Sequence, residues 1–212
     1  MNVHKIIIAD DHPLFLQGVK NALTSKNVPL YIEEANSYVE LFSLLEHDSD
    51  DIDLILMDLH MPGAESDTGI HYIRKLYPEI PLVVISAHDT IDVKINCLER
   101  GASDFFSKSL QVEELVNKIQ SILNGDYQYP TVPNGKVGTI DGSSGNIEKL
   151  TPAQFKVLLL IADGHANKAI AYKLKISEKT VKNHISAIFE KLDVTNRTQA
   201  SNLFLKNKTS SK

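Results

Sequence analysis

Up to about residue 124, short apolar runs alternate with stretches in which apolar residues recur every third or fourth position. Val3–Ala9, Asp53–Met57 and Leu82–Ser86 are aliphatic and β-branched runs, and they predict buried parallel strands. Tyr31–Ala35 and Ser103–Ser107 are weaker runs that fit a second and a fifth strand. The intervening stretches read as helices. Pro13–Ser25 places Leu14, Val19, Ala22 and Leu23 on one side, and Ser37–Glu46 offers Leu41, Leu44 and Leu45 behind Ser37 as N-cap. Gly69–Leu76 ends before Pro78, whereas Ile91–Glu99 and Gln111–Leu123 stop at Gly101 and Gly125. Five strands alternating with five helices imply an α/β fold, a doubly wound five-stranded parallel sheet. The ligand site of such a sheet lies at the carboxyl ends of its strands.

The pattern then changes. Gly125–Lys149 contains Pro130, Pro133 and several glycines without a helical apolar stripe, which marks a tether with a flexible tail. Beyond it every segment reads as helix. Thr151 caps a helix with Pro152 in its first turn and Gly164 at its end. Lys168–Leu174 is a short second helix, Ser177 caps a third that runs to about Leu192, and Thr195 is the expected cap of a fourth. Short helices joined by tight turns suit a small all-α helix-turn-helix domain. The expected units are residues 1–126, a linker over 127–146, and residues 147–212.

Composition sharpens this division. The 212 residues suit two small domains. Residues 147–212 hold 12 basic and 5 acidic residues, a net +7, which leaves −12 on the other 146 residues. A basic end fits nucleic acid, and an acidic end fits a cation or a basic partner. The longest apolar run, Val157–Ala162, is far too short to span a bilayer, so no membrane partner is expected. The apolar stretch at the N-terminus runs straight into Asp10 and Asp11, unlike a secretory signal. A single cysteine, Cys97, can form neither an internal disulfide nor a zinc site alone, and it is expected to be a packed thiol in a cytoplasmic protein.

On the expected sheet, Asp10 and Asp11 follow the first strand, Asp58 the third, Ser86 the fourth and Lys108 the fifth. All of these groups reach one edge. Three carboxylates in one pocket repel one another and call for a cation. All-oxygen ligation suits Mg²⁺ or Mn²⁺ better than zinc, and structural zinc is disfavoured because only two imidazoles, His12 and His60, are near. A divalent ion beside Lys108, facing a carboxylate nucleophile, is what phosphoryl transfer needs.

The motifs IIIADDHPLFLQGV, LILMDLHMPG, VVISAHD and GASDFFSKS stand in order over about residues 3–124, and this part resembles the receiver domain of bacterial two-component response regulators, a flavodoxin/CheY-like fold. The resemblance implies that Asp58 accepts a phosphoryl group from a cognate histidine kinase. It implies that Asp10, Asp11 and Asp58, with the backbone carbonyl of His60, hold Mg²⁺. Ser86 would meet the phosphoryl oxygens, Lys108 would pair with them, and Phe105 stands at the aromatic switch position beside Ser86. One departure is the loop after Pro62: six residues, GAESDT, precede Gly69, where receivers commonly have about three. A bland surface insertion is favoured over a change in kinase recognition or phosphoryl lifetime.

In the third C-terminal helix, Val181, Ile185, Ile188 and Leu192 form one apolar stripe, and Lys179, Thr180, Lys182, Asn183 and Ser186 lie largely off it. Lysines suit phosphates, and Asn can pair with adenine in the major groove. The preceding helix brings Lys168 and Lys173, with Lys175 just beyond it, toward the same backbone. The stretch from LTPAQFKVLLL to NRTQA, about Leu150–Leu205, resembles the LuxR/FixJ-type helix-turn-helix domain, with ANKAIAYKL and ISEKTVKNHISAIFEKL its most specific pieces. The resemblance places Lys179, Thr180, Lys182, Asn183 and His184 on the recognition helix, with Lys179 and Lys182 the foremost DNA contacts and His184 able to pack inward instead. Ala153 and Gln154 stand where the family often has an Arg-Glu pair, which weakens a possible local ion pair and not the DNA-binding reading.

Both resemblances imply a NarL/FixJ-type response regulator, a transcription factor rather than an enzyme. Phosphorylation would control homodimerisation and binding to double-stranded operator DNA. Two rivals are a phosphorylation-independent DNA binder whose receiver serves for dimerisation and a Mg²⁺-dependent phosphatase. The phosphatases in question carry their nucleophile in an Asp-x-Asp run after the first strand, whereas Asp58 follows the third.

Overall fold

The computed structural model describes residues 3–25, 29–48, 51–62, 68–130 and 147–206. The loop Gly63–Asp67 and most of the expected linker, 131–146, lie outside these residues.

The N-terminal domain alternates β1 (His4–Ala9), α1 (Pro13–Ser25), β2 (Leu30–Ala35), α2 (Tyr38–Asp48), β3 (Ile52–Asp58), α3 (Thr68–Leu76), β4 (Leu82–Ser86), α4 (Ile91–Glu99), β5 (Asp104–Ser107) and α5 (Val112–Asn124). The five strands form one parallel sheet in the order β2-β1-β3-β4-β5. β3 and β4 are buried almost throughout, as their continuous apolar runs require, whereas β2 is the half-buried edge. One sheet face packs Ile6, Ile8, Leu54, Leu56, Val83, Ile85 and Phe106 against α1 and α5. The other packs Ile7, Ile55, Met57, Val84 and Phe105 against α2, α3 and the Cys97 thiol of α4.

One expected stripe shifts. Leu16, Val19 and Leu23 form the buried face of α1, and Leu14 is 90% exposed. The spacings of three and four align Leu16, Val19 and Leu23. Leu14 stands two residues from Leu16, which on a helix turns it to the opposite side.

The C-terminal domain opens with a 3-10 turn at Ile147–Lys149 and continues through α6 (Pro152–Ala162), α7 (Asn167–Leu174), α8 (Glu178–Leu192) and α9 (Arg197–Lys206). Thr151 and Gln154 form a capping box at α6, and Ser177 Oγ accepts the Thr180 N–H at 3.0 Å at the start of α8. The cap of α9 is Asn196 rather than Thr195. Asn196 Oδ1 accepts the Gln199 N–H at 2.9 Å, while the Thr195 N–H and hydroxyl both turn to Gln199 Oε1. Phe155, Leu158, Ile170, Val181, Ile188, Leu192 and Phe204 fill the core. In place of an Arg-Glu pair, Gln154 Oε1 accepts from both the Thr151 N–H (3.0 Å) and Lys191 Nζ (2.8 Å), which ties the start of α6 to the end of α8.

The two cores are continuous. Phe155 of α6 stacks on Tyr72 of α3 with centroids 3.9 Å apart and planes at 11°, and Phe42 of α2 meets both rings edge-on. The Tyr72 hydroxyl donates to the Leu150 carbonyl at 3.0 Å in a buried position. Lys156 Nζ reaches Glu46 at 2.6 Å beside this aromatic cluster. Burial, and then the nearby Tyr77 and Glu46, push the Tyr72 phenol well above its ordinary range.

Candidate phosphoacceptor pocket and nucleic-acid interface

Parallel pairing brings the polar residues together. Ala9 ends β1 next to Met57 of β3, so Asp10 follows directly beside Asp58, the last residue of β3. Asp58 pairs with Ile85 of β4, which sets Ser86 one step further on. The Lys108 N–H donates to the Ser86 carbonyl at 2.8 Å, and this bond fixes the turn after β5.

Asp10 and Asp58 are nearly inaccessible, at 1% and 3% exposed, and Lys108 joins them. Its Nζ lies 2.8 Å from Asp10 Oδ2 and 2.8 Å from Asp58 Oδ2. Burial by itself would lower the pKa of this ammonium. Its contacts with the two carboxylates outweigh burial, so the pKa is raised and the group stays charged.

Asp11 enters through a neighbour. His12 Nδ1 lies 2.9 Å from Asp11 Oδ1 and 3.0 Å from Asp10 Oδ1, and the His12 N–H donates to Asp10 Oδ1 at 2.9 Å. Asp10 Oδ2 and Asp11 Oδ1 are buried, and their close neighbours are the Lys108 ammonium and the His12 ring. These oxygens, together with Asp58, fit a divalent cation that prefers oxygen ligands. Candidate ligand atoms of Asp10, Asp11, His12 and Asp58 all lie within 4.8 Å of one another.

The remaining expected residues surround this cluster. The His60 N–H donates to Asp58 Oδ1 at 3.3 Å, which places its backbone at the pocket wall. Ser86 is fully buried, and its hydroxyl accepts the His88 N–H at 3.1 Å rather than meeting Asp58. The Phe105 ring is buried in the sheet core. The imidazole of His12 was noted in the sequence only as a neighbour of the acids. The side-chain direction that turns it into the cluster belongs to the turn after β1 and has no signature in residue spacing.

In the C-terminal domain the polar face of α8 is open. Lys179, Lys182, Asn183 and Ser186 are exposed, whereas Val181, Ile188 and Leu192 are buried. Thr180 and His184 are half-buried, and Ile185 packs against the core from a partly buried position. Lys168, Lys173 and Lys175 are exposed on and just beyond α7. Lys175 has φ +53° and closes α7 in a left-handed conformation, which sets the turn into α8.

A parallel sheet with an acid–lysine pocket, followed by a helix-turn-helix domain with an exposed basic face, is the architecture of a two-component response regulator. The chain belongs to that family: the response regulator receiver domain matches residues 6–120, and the luxR family of bacterial regulatory proteins matches residues 148–209. It is 37% identical over 208 residues to a glycerol metabolism activator of Pseudomonas putida, covering 93% of each chain. It is 29% identical to the nitrate/nitrite response regulator protein NarL of Escherichia coli, covering 92% of each. Among solved structures it resembles the RcsB response regulator of Salmonella typhimurium, with TM-score 0.55, 26% identity and 95% and 98% of the two chains covered. A structure of an RcsB–DNA complex matches at TM-score 0.55 and 25% identity, covering 98% of this chain and 100% of the other. The protein is therefore a DNA-binding response regulator. Among the described residues no helix is long and apolar enough to cross a membrane.

Proposed function

We propose that Asp58 is the phosphoacceptor of this regulator and that a cognate histidine kinase is its donor. The observation that carries this reading is the buried Asp58 carboxylate at the end of a central strand, bonded to Lys108 and flanked by Asp10. One Asp58 oxygen attacks phosphorus in line, the P–N bond to the kinase histidine breaks, and the imidazole takes the electron pair and leaves. Asp10, Asp11 and Asp58, with the His60 carbonyl, would hold Mg²⁺ or Mn²⁺, which neutralises the phosphoryl oxygens. Lys108 pairs with those oxygens, Ser86 turns its hydroxyl from His88 toward them, and Phe105 follows as the switch.

The receiver occupies residues 1–126 and the DNA-binding domain 147–212, joined by 127–146. A phosphorylated homodimer reads two half-sites of double-stranded operator DNA. Lys179, Thr180, Lys182, Asn183 and His184 are the contact residues of α8. The protein works as a regulator rather than an enzyme, and a cytoplasmic location is supported by its single cysteine, Cys97, being kept as a buried thiol.

Intact mass after treatment with Mg²⁺ and a small acyl phosphate tests the acceptor. A single phosphoryl adduct on the wild type, absent from Asp58→Ala, is expected. An adduct on both would place the acceptor elsewhere. One observation favours the phosphorylation-independent reading: the polar face of α8 is exposed with Asp58 unmodified. Equal DNA affinity of wild type and Asp58→Ala under phosphorylating conditions would decide for it.

A further inference from the structure

We propose that His12 is a nitrogen ligand of the pocket's divalent ion, and that it selects a transition ion of the Mn²⁺ class over Mg²⁺. The inference rests on the reading of the acidic pocket as a cation site. It adds a donor of a different chemistry to that site.

The imidazole already stands where the ion's ligands converge. His12 Nδ1 is 3.0 Å from Asp10 Oδ1, 2.9 Å from Asp11 Oδ1 and 3.8 Å from Asp58 Oδ2. The four candidate donor atoms fit within 4.8 Å of one another, close to the span a single ion bridges with bonds of roughly 2.0–2.2 Å. The residue is anchored for this position, because its backbone N–H is bonded to Asp10 Oδ1. Asp11 Oδ1 is buried without an aligned hydrogen bond, so a cation has a carboxylate acceptor beside the ring, while Asp10 Oδ2 is already paired with Lys108 Nζ, which also lies 3.4 Å from His12 Nδ1. The ring itself is 64% exposed, so it can rotate onto an ion without repacking the core.

Donor chemistry then sets preference. Mg²⁺ is a hard ion that keeps oxygen ligands and water, and an imidazole adds little to its binding. Mn²⁺ and the later divalent ions accept imidazole readily. A site of three carboxylates and one imidazole therefore widens the gap between Mn²⁺ and Mg²⁺ beyond that of an all-oxygen site. His60 and His88 do not replace His12 in this role. Their rings face each other with centroids 5.0 Å apart, and neither belongs to the cluster of converging donors.

The test uses the full chain with each metal alone. Calorimetric titration gives the affinities for Mn²⁺ and Mg²⁺, and pulsed electron paramagnetic resonance of bound Mn²⁺ reports a directly bonded nitrogen. The wild type should show the nitrogen coupling. His12→Asn should abolish it and lower the Mn²⁺ affinity by about tenfold or more, with Mg²⁺ affinity changed less than about twofold. His60→Asn, which keeps the backbone carbonyl, should retain the coupling. No nitrogen coupling in the wild type, or an unchanged ratio of the two affinities in His12→Asn, would overturn the proposal while leaving the acidic site standing. No binding of either ion would overturn both the proposal and the cation reading beneath it. His12→Gln, with circular dichroism of each variant, separates loss of a ligand from loss of fold.

Discussion

Lys108 holds two buried carboxylates at 2.8 Å each, and its replacement exposes what they cost. In Lys108→Ala, Asp10 and Asp58 remain buried beside each other without their cation. We expect a loss of about 3 kcal/mol in metal-free urea unfolding, largely recovered when a divalent cation is added. Tyrosines give a second residue-scale expectation. Tyr72 is raised by burial first, and Tyr127 is raised by burial and by its bond to Asp104. A raised folded pKa means that the folded state keeps a proton the unfolded chain gives up. This stabilisation is intact below about pH 10, the unfolded value, and is lost as pH rises toward the folded ones. Stability should therefore fall with pH above about 10, and phenolate absorbance should show Tyr72 and Tyr127 ionising only with unfolding. In Tyr72→Phe the slope should shrink. The pocket acids were legible in the sequence because carboxylates and a lysine follow consecutive apolar runs. His12 and the Tyr127–Asp104 bond were not, since they depend on the directions of single side chains, His12 after β1 and Tyr127 beyond α5.

At the scale of elements, apolar periodicity located the strands and α-helices of the described residues, and the capping residues marked most ends. The misreadings have local causes. Leu14 belonged by composition but not by angle to the stripe of α1, and Thr195 yielded the cap of α9 to its neighbour because Asn196 reaches the Gln199 N–H. Asn196→Ala should therefore cost about 1 kcal/mol, and Thr195→Ala distinctly less, in thermal unfolding of the full chain. The 3-10 turn at Ile147–Lys149 has no periodicity of its own. Its buried Ile147 is fixed by packing.

For the whole molecule, the sequence divided the chain into an acidic and a basic part without saying that they touch. Nothing in the spacing of Phe42, Tyr72 and Phe155 announces a shared cluster, because each fits the core of its own domain. The seat of α6 on α2 and α3 is polar as well as aromatic, through Lys156 and Glu46. Lys156→Glu should loosen the seat by setting two acids together, and Glu46→Lys should do the same with two cations. The double reversal should restore it. Small-angle scattering checks this: each single variant should show a larger radius of gyration than the wild type, and the double variant should match the wild type.

The stacked rings of Tyr72 and Phe155 also govern how the protein comes apart. A chain of two modules joined only by a tether melts in two steps, each module at its own temperature. Here one aromatic ring is part of the filling of both, so neither module can lose its interior without opening the other's. Calorimetry should record a single cooperative heat absorption for the intact chain. Phe155→Leu, which keeps an apolar filling but removes the stack, should split that event into two.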